Sequence, residues 1–509
     1  MKIRSLLGVA LVVVTVLPRD IRGQGLDSGA RRRQEVGTLV RTEMQGRQIP
    51  GMQVVVVQHG KIVMKAAYGL ADVEHSIPVT NQTLFSVASM TKAFTGVAIM
   101  QLVEEGKLRL DASVSEYVEG LPMAWRAVTV AQLLTHESGI PDIVDQRKGK
   151  LVGDGSPESF ISKANTLPME FAPGERFSYN QTNYLLLGKI IEKLSGETYR
   201  QFVTDGQLVV AGMRGARFGG FSDIVKDRAQ PYDLQRIDLQ RMDRKGVGKE
   251  RLINIFYESV PALDPANGID SSAEEIADWV IALQQGRLLK DRKSIDTMWT
   301  PGVLRDGERG GFGGPLNGYA LGWPVMSRAT HRAMAPIGGN WAALFVYPDD
   351  DLSVVVLTNL QGSHPEMFVD DIAACFVPDI RNAVGFGIPR AIKTLQAEIA
   401  KRGFEHAIEI VSDPKNKEWK AKLREADVNA LGYRLLGGGE QKQALEIFKL
   451  NAALFPGSAN VYDSLADGYE GVGERGLAIA SYKRSLQLNP QNENAASRVK
   501  ALEAEGAKP

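Results

Sequence analysis

The chain has 509 residues, with 60 Lys and Arg against 60 Asp and Glu, and is 44% hydrophobic and 24% charged. That balance belongs to a folded globular protein; it excludes disordered and collagen-like chains and gives no overall electrostatic pull toward nucleic acid or anionic lipid. One cysteine, Cys375, excludes an internal disulfide framework and a cysteine-rich metal site, so stability has to come from packing, in two or three domains by length.

The chain opens with Met1, Lys2, Ile3 and Arg4, runs apolar over 6–17, and returns to small and polar residues over 18–25. This is the pattern of an export signal. Twelve residues at 1.5 Å rise reach only about 18 Å of a roughly 30 Å hydrocarbon layer. The expectation is therefore a signal peptide over 1–25, cleaved near Gly25, and a protein outside the cytoplasm, periplasmic or secreted. An uncleaved anchor is the alternative.

Positions 52–57 are a β-branched run, His59 and Gly60 mark a turn, and 62–66 resumes the apolar pattern, which predicts a hairpin. Helical patterns follow over 89–105, 183–195 and 272–285, each ending before a glycine (Gly106, Gly196, Gly286) placed for a left-handed helix terminus. The third begins with a capping box, Ser272 and Glu275. A second hairpin is predicted from 341–347, the acidic turn at Pro348, Asp349, Asp350 and Asp351, and 352–357. Strands at both ends with helices between predict one mixed α and β domain over 26–382, its sheet closed by sequence-distant hairpins.

A different period begins near 381–389. Leu431, Gly437, Glu440, Ala444, Phe448, Leu454 and Pro456 recur 34 residues later as Leu465, Gly471, Glu474, Ala478, Tyr482, Leu488 and Pro490. The pattern resembles the tetratricopeptide repeat (TPR), with small residues where helices approach and proline where the second helix stops. An α-helical repeat domain is expected over 390–509. The stretch 392–430, with apolar Leu395, Ile399 and Ile408, is expected to add a degenerate unit or a cap. Stacked helical hairpins would offer a concave surface to a peptide or protein partner; capping the first domain is the simpler role.

The chemistry lies in the first domain. Ser89 and Lys92 stand three apart at the start of the first helical pattern, so the amine lies beside the hydroxyl. A serine needs a base, and a lysine near the positive end of a helix and partly desolvated has its charged form disfavoured. The spacing alone is weak, since Ser412 with Lys415 and Ser497 with Lys500 repeat it. Its surroundings are specific: Phe85 to Lys92 reading FSVASMTK, then LVEEGKL from Leu102, LLTHESG from Leu133 and YNQTNY from Tyr179. In this order they resemble the serine β-lactamase and penicillin-binding superfamily, closest to its class C and esterase branch, over about 49–362.

That resemblance implies an α+β fold, an antiparallel sheet flanked by helices with an all-helical domain. It implies Ser89 as acylated nucleophile, Lys92 as the group that tunes or takes its proton, and Tyr179 as proton exchanger. As a base, Tyr179 needs a cation to favour its phenolate, and Lys92 is the candidate. The amides of Ser89 and Gly339 would hold the oxyanion, with Gly338 beside them. Gln181 stands where the family has asparagine, and keeps an amide for a substrate carbonyl. His136 is read as a loop histidine, not a base. No cofactor and no metal are implied.

The family's usual Lys or His before a small residue and glycine is Pro336 here, which carries neither charge nor amide proton. A carboxylate-bearing substrate loses its partner there, which favours an esterase over a β-lactamase or D-alanyl-D-alanine carboxypeptidase. His331 is the one nearby substitute if the loop bulges. No G-x-S-x-G elbow or zinc-binding spacing occurs among the histidines, and the glycines at 153–155 and 310–314 are too irregular for a phosphate loop. Asp349, Asp350 and Asp351 read as a solvated turn. Two functional readings stand: a serine hydrolase acting on a small ester, amide or peptide, and a ligand-binding or scaffold protein whose hydrolase site has lost turnover.

Overall fold

The computed structural model describes residues 28–145, 150–151, 156–220, 223–236, 250–255, 260–383, 385–386, 389–437 and 439–506. The export-signal reading at 1–25 and the glycines of 153–155 lie outside these residues. Among the described residues no helix is long and apolar enough to cross a membrane.

The centre is an antiparallel sheet joining the two predicted hairpins. Strand Gly51–Gln58 pairs on one side with Lys61–Asp72 and on the other with Leu352–Thr358, with Met52 opposite Thr358 and Gln58 opposite Leu352. Outward from Leu352–Thr358 follow Ala342–Tyr347, Ala333–Met334, Pro324–Met326 and Gly318–Tyr319; the short strand Ile337–Gly338 pairs beside Ala342–Tyr347. His59 and Gly60 both take positive φ in the first turn, which matches the twist of a tight hairpin.

Both central strands are buried on both faces, which is why they read as unbroken Val and Leu runs and not as alternation. Val55, Val57 and Val355 pack toward helices Thr91–Glu104 and Ala273–Gln284. Val54, Val56 and Val354 pack toward Ser28–Arg47 and Glu366–Ala373. The one polar side chain in Gly51–Gln58 buried among them, Gln53, donates to the carbonyls of Thr80 and Thr83 and accepts from the amide of Ala273, so it ties sheet to helix. Ser272 caps that helix with Glu275 in the expected reciprocal box.

Two helix boundaries differ from expectation. The helix expected over 89–105 is a 3₁₀ turn, Ala88–Met90, followed by the α-helix Thr91–Glu104, so Ser89 stands ahead of the helix proper. The helix expected over 183–195 begins earlier, as Gln181–Ser195, because the Asn180 side chain caps it by accepting from the Asn183 amide.

From 390 on the described chain is helical. Glu425–Gly437, Gln441–Leu454, Ala459–Gly471, Arg475–Leu488 and Glu493–Gly506 stack in sequence, each packed on the next. The repeated positions do equivalent work: Ala444 and Ala478 are fully buried at helix approaches, as are Phe448 and Tyr482. Gly432 lies so close to Phe448 that a Cβ there would stand 2.4 Å from the ring. Over 392–430, Leu395 and Ile399 are buried as expected, but Ile408 is exposed, while Ile410 and Val411 of the helix Ala407–Ser412 take the core positions. Ala444→Leu should overpack this array and destabilise it by about 1–3 kcal/mol. A lowered thermal transition, with labelling of Ser89 by an active-site probe unchanged, is the expected result.

Candidate active site

The turn that carries Ser89 is conformationally constrained. Ala88 holds φ at +44°, a left-handed value costly for a residue with a Cβ. Val87 is fastened by its amide to the carbonyl of Ile269, and the Met90 amide returns to Val87 O. Gly338 presses against this turn from the sheet: a Cβ built on it would lie 1.9 Å from Val87 O. Only glycine allows the strand that close.

Lys92, the second residue of the helix, is buried. Its Nζ lies 3.3 Å from Ser89 Oγ, 2.9 Å from Gln181 Oε1 and 3.1 Å from the carbonyl of Ala266. Burial pulls its pKa down to about 7, against a smaller opposing effect of Asp142. A neutral amine has two N–H donors and one lone pair. All three oxygens accept from Nζ when it is charged; in the neutral form its lone pair can face only the Ser89 hydroxyl, the one of the three partners able to donate.

Tyr179 bonds to Ser89 and Gln181, and its ring centroid is 4.7 Å from Lys92 Nζ. Here the sequence-based expectation is corrected. Burial pushes the phenol above its ordinary value, and a lysine that is itself half neutral near pH 7 does not offset it. Tyr179 is therefore held as the neutral phenol.

The HESG loop clamps this arrangement from below. His136 Nδ1 accepts from the Asn180 amide, Ser138 Oγ donates to Asn183 Oδ1, and the His136 ring packs 4.4 Å from that of Tyr179. Burial, with Lys92 nearby, holds the imidazole well below its usual pKa, so it is neutral. Asp142, just beyond this loop, accepts from the Gln181 amide and fixes the start of the helix bearing that side chain.

Ser89, Tyr179 and Gly339 open onto a cavity of about 290 Å³ walled by Phe312, Tyr319, Ile337 and Phe386. Of the residues expected at the site, Ser89, Lys92, Tyr179 and Gln181 come together; Gly338 backs the nucleophile turn and Gly339 lines the cleft with φ +56°. Gln181 is turned to Lys92 and Tyr179. Pro336 is buried and does not line the cavity; its neighbour Ile337 does. His331 is no substitute cation: it pairs with Asp350 at 2.8 Å, away from the cleft. The acidic turn is likewise not merely solvated, because Asp349 pairs with Arg332 and Asp351 with His59. Residues the motifs did not show are Ala266, whose carbonyl accepts from Lys92, Tyr319, Asn340 and Glu366, which line the cleft, and Asp142, which stands three residues past the HESG motif.

A serine beside a buried lysine with an adjacent phenol, at the mouth of a cleft beside an antiparallel sheet, defines a serine hydrolase site of the β-lactamase type. The Beta-lactamase family profile matches residues 36–375, 340 of the 509, and the chain belongs to this family. Protein flp of Staphylococcus aureus (strain MW2) is 32% identical over 216 residues, 40% of this chain and 41% of that protein, so the chain spans well under two thirds of that relative's length. Among solved structures, the octameric penicillin-binding protein homologue from Pyrococcus abyssi superposes with a TM-score of 0.59 at 27% identity, covering 72% of this chain and 81% of that one. The penicillin binding protein from Bacillus halodurans gives 0.54 at 26% identity, covering 67% and 98%.

Gly338→Ala should force the strand off the nucleophile turn. The expected outcome is a fall of about 100-fold or more in the rate of Ser89 labelling by a fluorophosphonate, with far-ultraviolet circular dichroism preserved.

Proposed function

We propose that the protein is an exported serine hydrolase that forms an acyl-enzyme on Ser89 and turns over esters in preference to β-lactams or D-alanyl-D-alanine peptides. The observation that carries this reading is the hydrogen bonding of Lys92: of its three oxygen partners only the Ser89 hydroxyl can donate, so the lone pair of the neutral amine falls to Ser89. Ser89 Oγ attacks the carbonyl carbon while its proton passes to Lys92 Nζ. The amides of Ser89 and Gly339 hold the oxyanion. As the intermediate collapses, the leaving group takes the Tyr179 proton and Tyr179 is reprotonated from Lys92. Water then attacks the acyl carbon by the reverse relay, the acid departs, and Ser89 regains its proton; no cofactor is needed. The preference for esters rests on the absence of Lys, Arg and His among the described residues lining the cavity, which leaves a substrate carboxylate without a partner.

The same proposal takes 1–25 as a cleaved signal, with the mature protein periplasmic or secreted, and 390–509 as a TPR array that receives a peptide or protein on its concave face. The 34-residue recurrence and the matched buried positions support the latter.

The test is labelling with a fluorophosphonate and a fluorescent penicillin, together with turnover of p-nitrophenyl esters, a chromogenic cephalosporin and a D-Ala-D-Ala peptide. Labelling abolished by Ser89→Ala and fastest turnover on short esters are expected. A folded protein that neither probe labels would transfer the assignment to the ligand-binding reading, which Pro336 and Gln181 motivate.

The active form of the base is the neutral amine, which is lost as pH falls through its folded pKa. kcat/KM should therefore rise with pH to a plateau, with the inflection near pH 7. Lys92→Arg, which stays charged, should lower kcat by about 10²- to 10⁴-fold and remove that inflection.

A further inference from the structure

Acylation creates a positive charge where the fold least favours one. When Lys92 Nζ takes the Ser89 proton it becomes a buried ammonium, at the second residue of the helix Thr91–Glu104, the end where the helix dipole repels a cation. The three oxygens around it, Ser89 Oγ, Gln181 Oε1 and the Ala266 carbonyl, carry no charge. The titratable side chains packed round it are neutral as well. The rings of Tyr179 and Tyr184 lie 4.7 Å and 5.1 Å from Nζ, with Tyr319 behind them; burial holds all three as phenols and His136 as the uncharged imidazole. Asp264, on the short helix that supplies the Ala266 carbonyl, is taken up by Arg200 through both carboxylate oxygens.

One anion does act on Lys92. Among the described residues, the charge that favours its ammonium is the carboxylate of Asp142. Asp142 Oδ1 accepts from the Gln181 amide at 3.0 Å and from the Val144 amide at 3.2 Å, and the Gln181 side chain runs from that point to Lys92 Nζ at 2.9 Å. A single glutamine thus links carboxylate and amine. The carboxylate is also held in place: Thr182 Oγ1 donates to Pro141 O at 2.8 Å and accepts from the Ile143 amide at 2.9 Å, which stitches both neighbours of Asp142 to the helix Gln181–Ser195. The head of a helix suits an anion. Capping alone does not account for the residue, because Asn180 already caps this helix.

We propose that Asp142 is a positioning residue for acylation, its carboxylate being the counter-charge, acting across Gln181, that stabilises the ammonium formed when Lys92 takes the Ser89 proton. The inference rests on the serine hydrolase reading and deepens it. In that step the Ser89 O–H bond breaks and an Oγ–C bond forms; the proton goes to the Nζ lone pair and the carbonyl electron pair to the oxyanion. Asp142 exchanges no proton. Its charge sets the strength of the base: with it the amine titrates at about 7, and without it the same burial leaves a weaker base.

The test compares full-length wild type, Asp142→Asn and Asp142→Ser by the pH dependence of kcat/KM on p-nitrophenyl acetate, a parameter that reports acylation. Asparagine keeps an oxygen for the Gln181 and Val144 amides and removes the charge; serine is a second neutral acceptor if the asparagine variant fails to fold. Loss of the anion lowers the folded pKa of the base, so the inflection should move to lower pH by about one unit, and the plateau should fall about three- to tenfold. Asp142→Glu, which restores the charge, should bring the inflection back toward its wild-type position. A purely structural role would slow the enzyme and leave the inflection in place. That result, an unchanged profile in the neutral variants, or a shift to higher pH overturns the inference and leaves the hydrolase reading standing. Wild-type protein that hydrolyses no ester and is not labelled at Ser89 overturns both.

Discussion

The arrangement at Lys92 is the constraint on which the rest of the site depends. Burial disfavours an ammonium there although three oxygens surround it, and in the neutral amine the lone pair can face only the Ser89 hydroxyl, the one partner able to donate. Gln181 Oε1 and the Ala266 carbonyl take the two hydrogens. Both come from far along the chain, Gln181 from the head of a helix capped by Asn180 and Ala266 from the short helix Asp264–Asn267. The all-helical part of the fold therefore sets the protonation state of a residue whose nucleophile partner is held by the sheet.

The sheet side is equally exacting. Ser89 is placed by a turn with a left-handed alanine, and that turn is held by a strand whose glycine has no room for a methyl group. One half of the site thus controls charge and the other controls position, and they meet at Ser89, which contacts both Lys92 and Tyr179. The HESG loop serves both, since His136 takes up the Asn180 amide and supports the Tyr179 ring. A neutral, buried imidazole in that position is a structural part.

What could be read from the sequence divides along physical lines. The hairpins were legible because strands buried on both faces must be apolar throughout, and the helix ends because glycine and capping residues leave local marks. Ser89, Lys92 and Tyr179 were legible because their spacing and neighbours form compact motifs. The direction of the Tyr179 shift was not, because it depends on how much water is excluded around both it and Lys92. The 3₁₀ turn at Ala88–Met90 was hidden because it shares its apolar pattern with the helix that follows. Ile408 was misplaced because an interruption near Gly403 resets the helical phase, and phase decides which side of a helix faces the core. Glu366 carried no local mark at all: an acidic residue at a helix start looks like ordinary dipole complementation until a distant strand and loop close a cavity over it.

The pairing of Gly51–Gln58 with Leu352–Thr358 also governs how the molecule comes into being. The amide of Gly51 finds its acceptor in Asn359, 308 positions away. Until that distant segment leaves the ribosome, the first hairpin has an open apolar edge and no central neighbour, and the middle of the sheet cannot form. Biogenesis should consequently be slow and late, with a long interval in which the nascent chain presents an unpaired strand to whatever chaperone or translocation machinery first meets it.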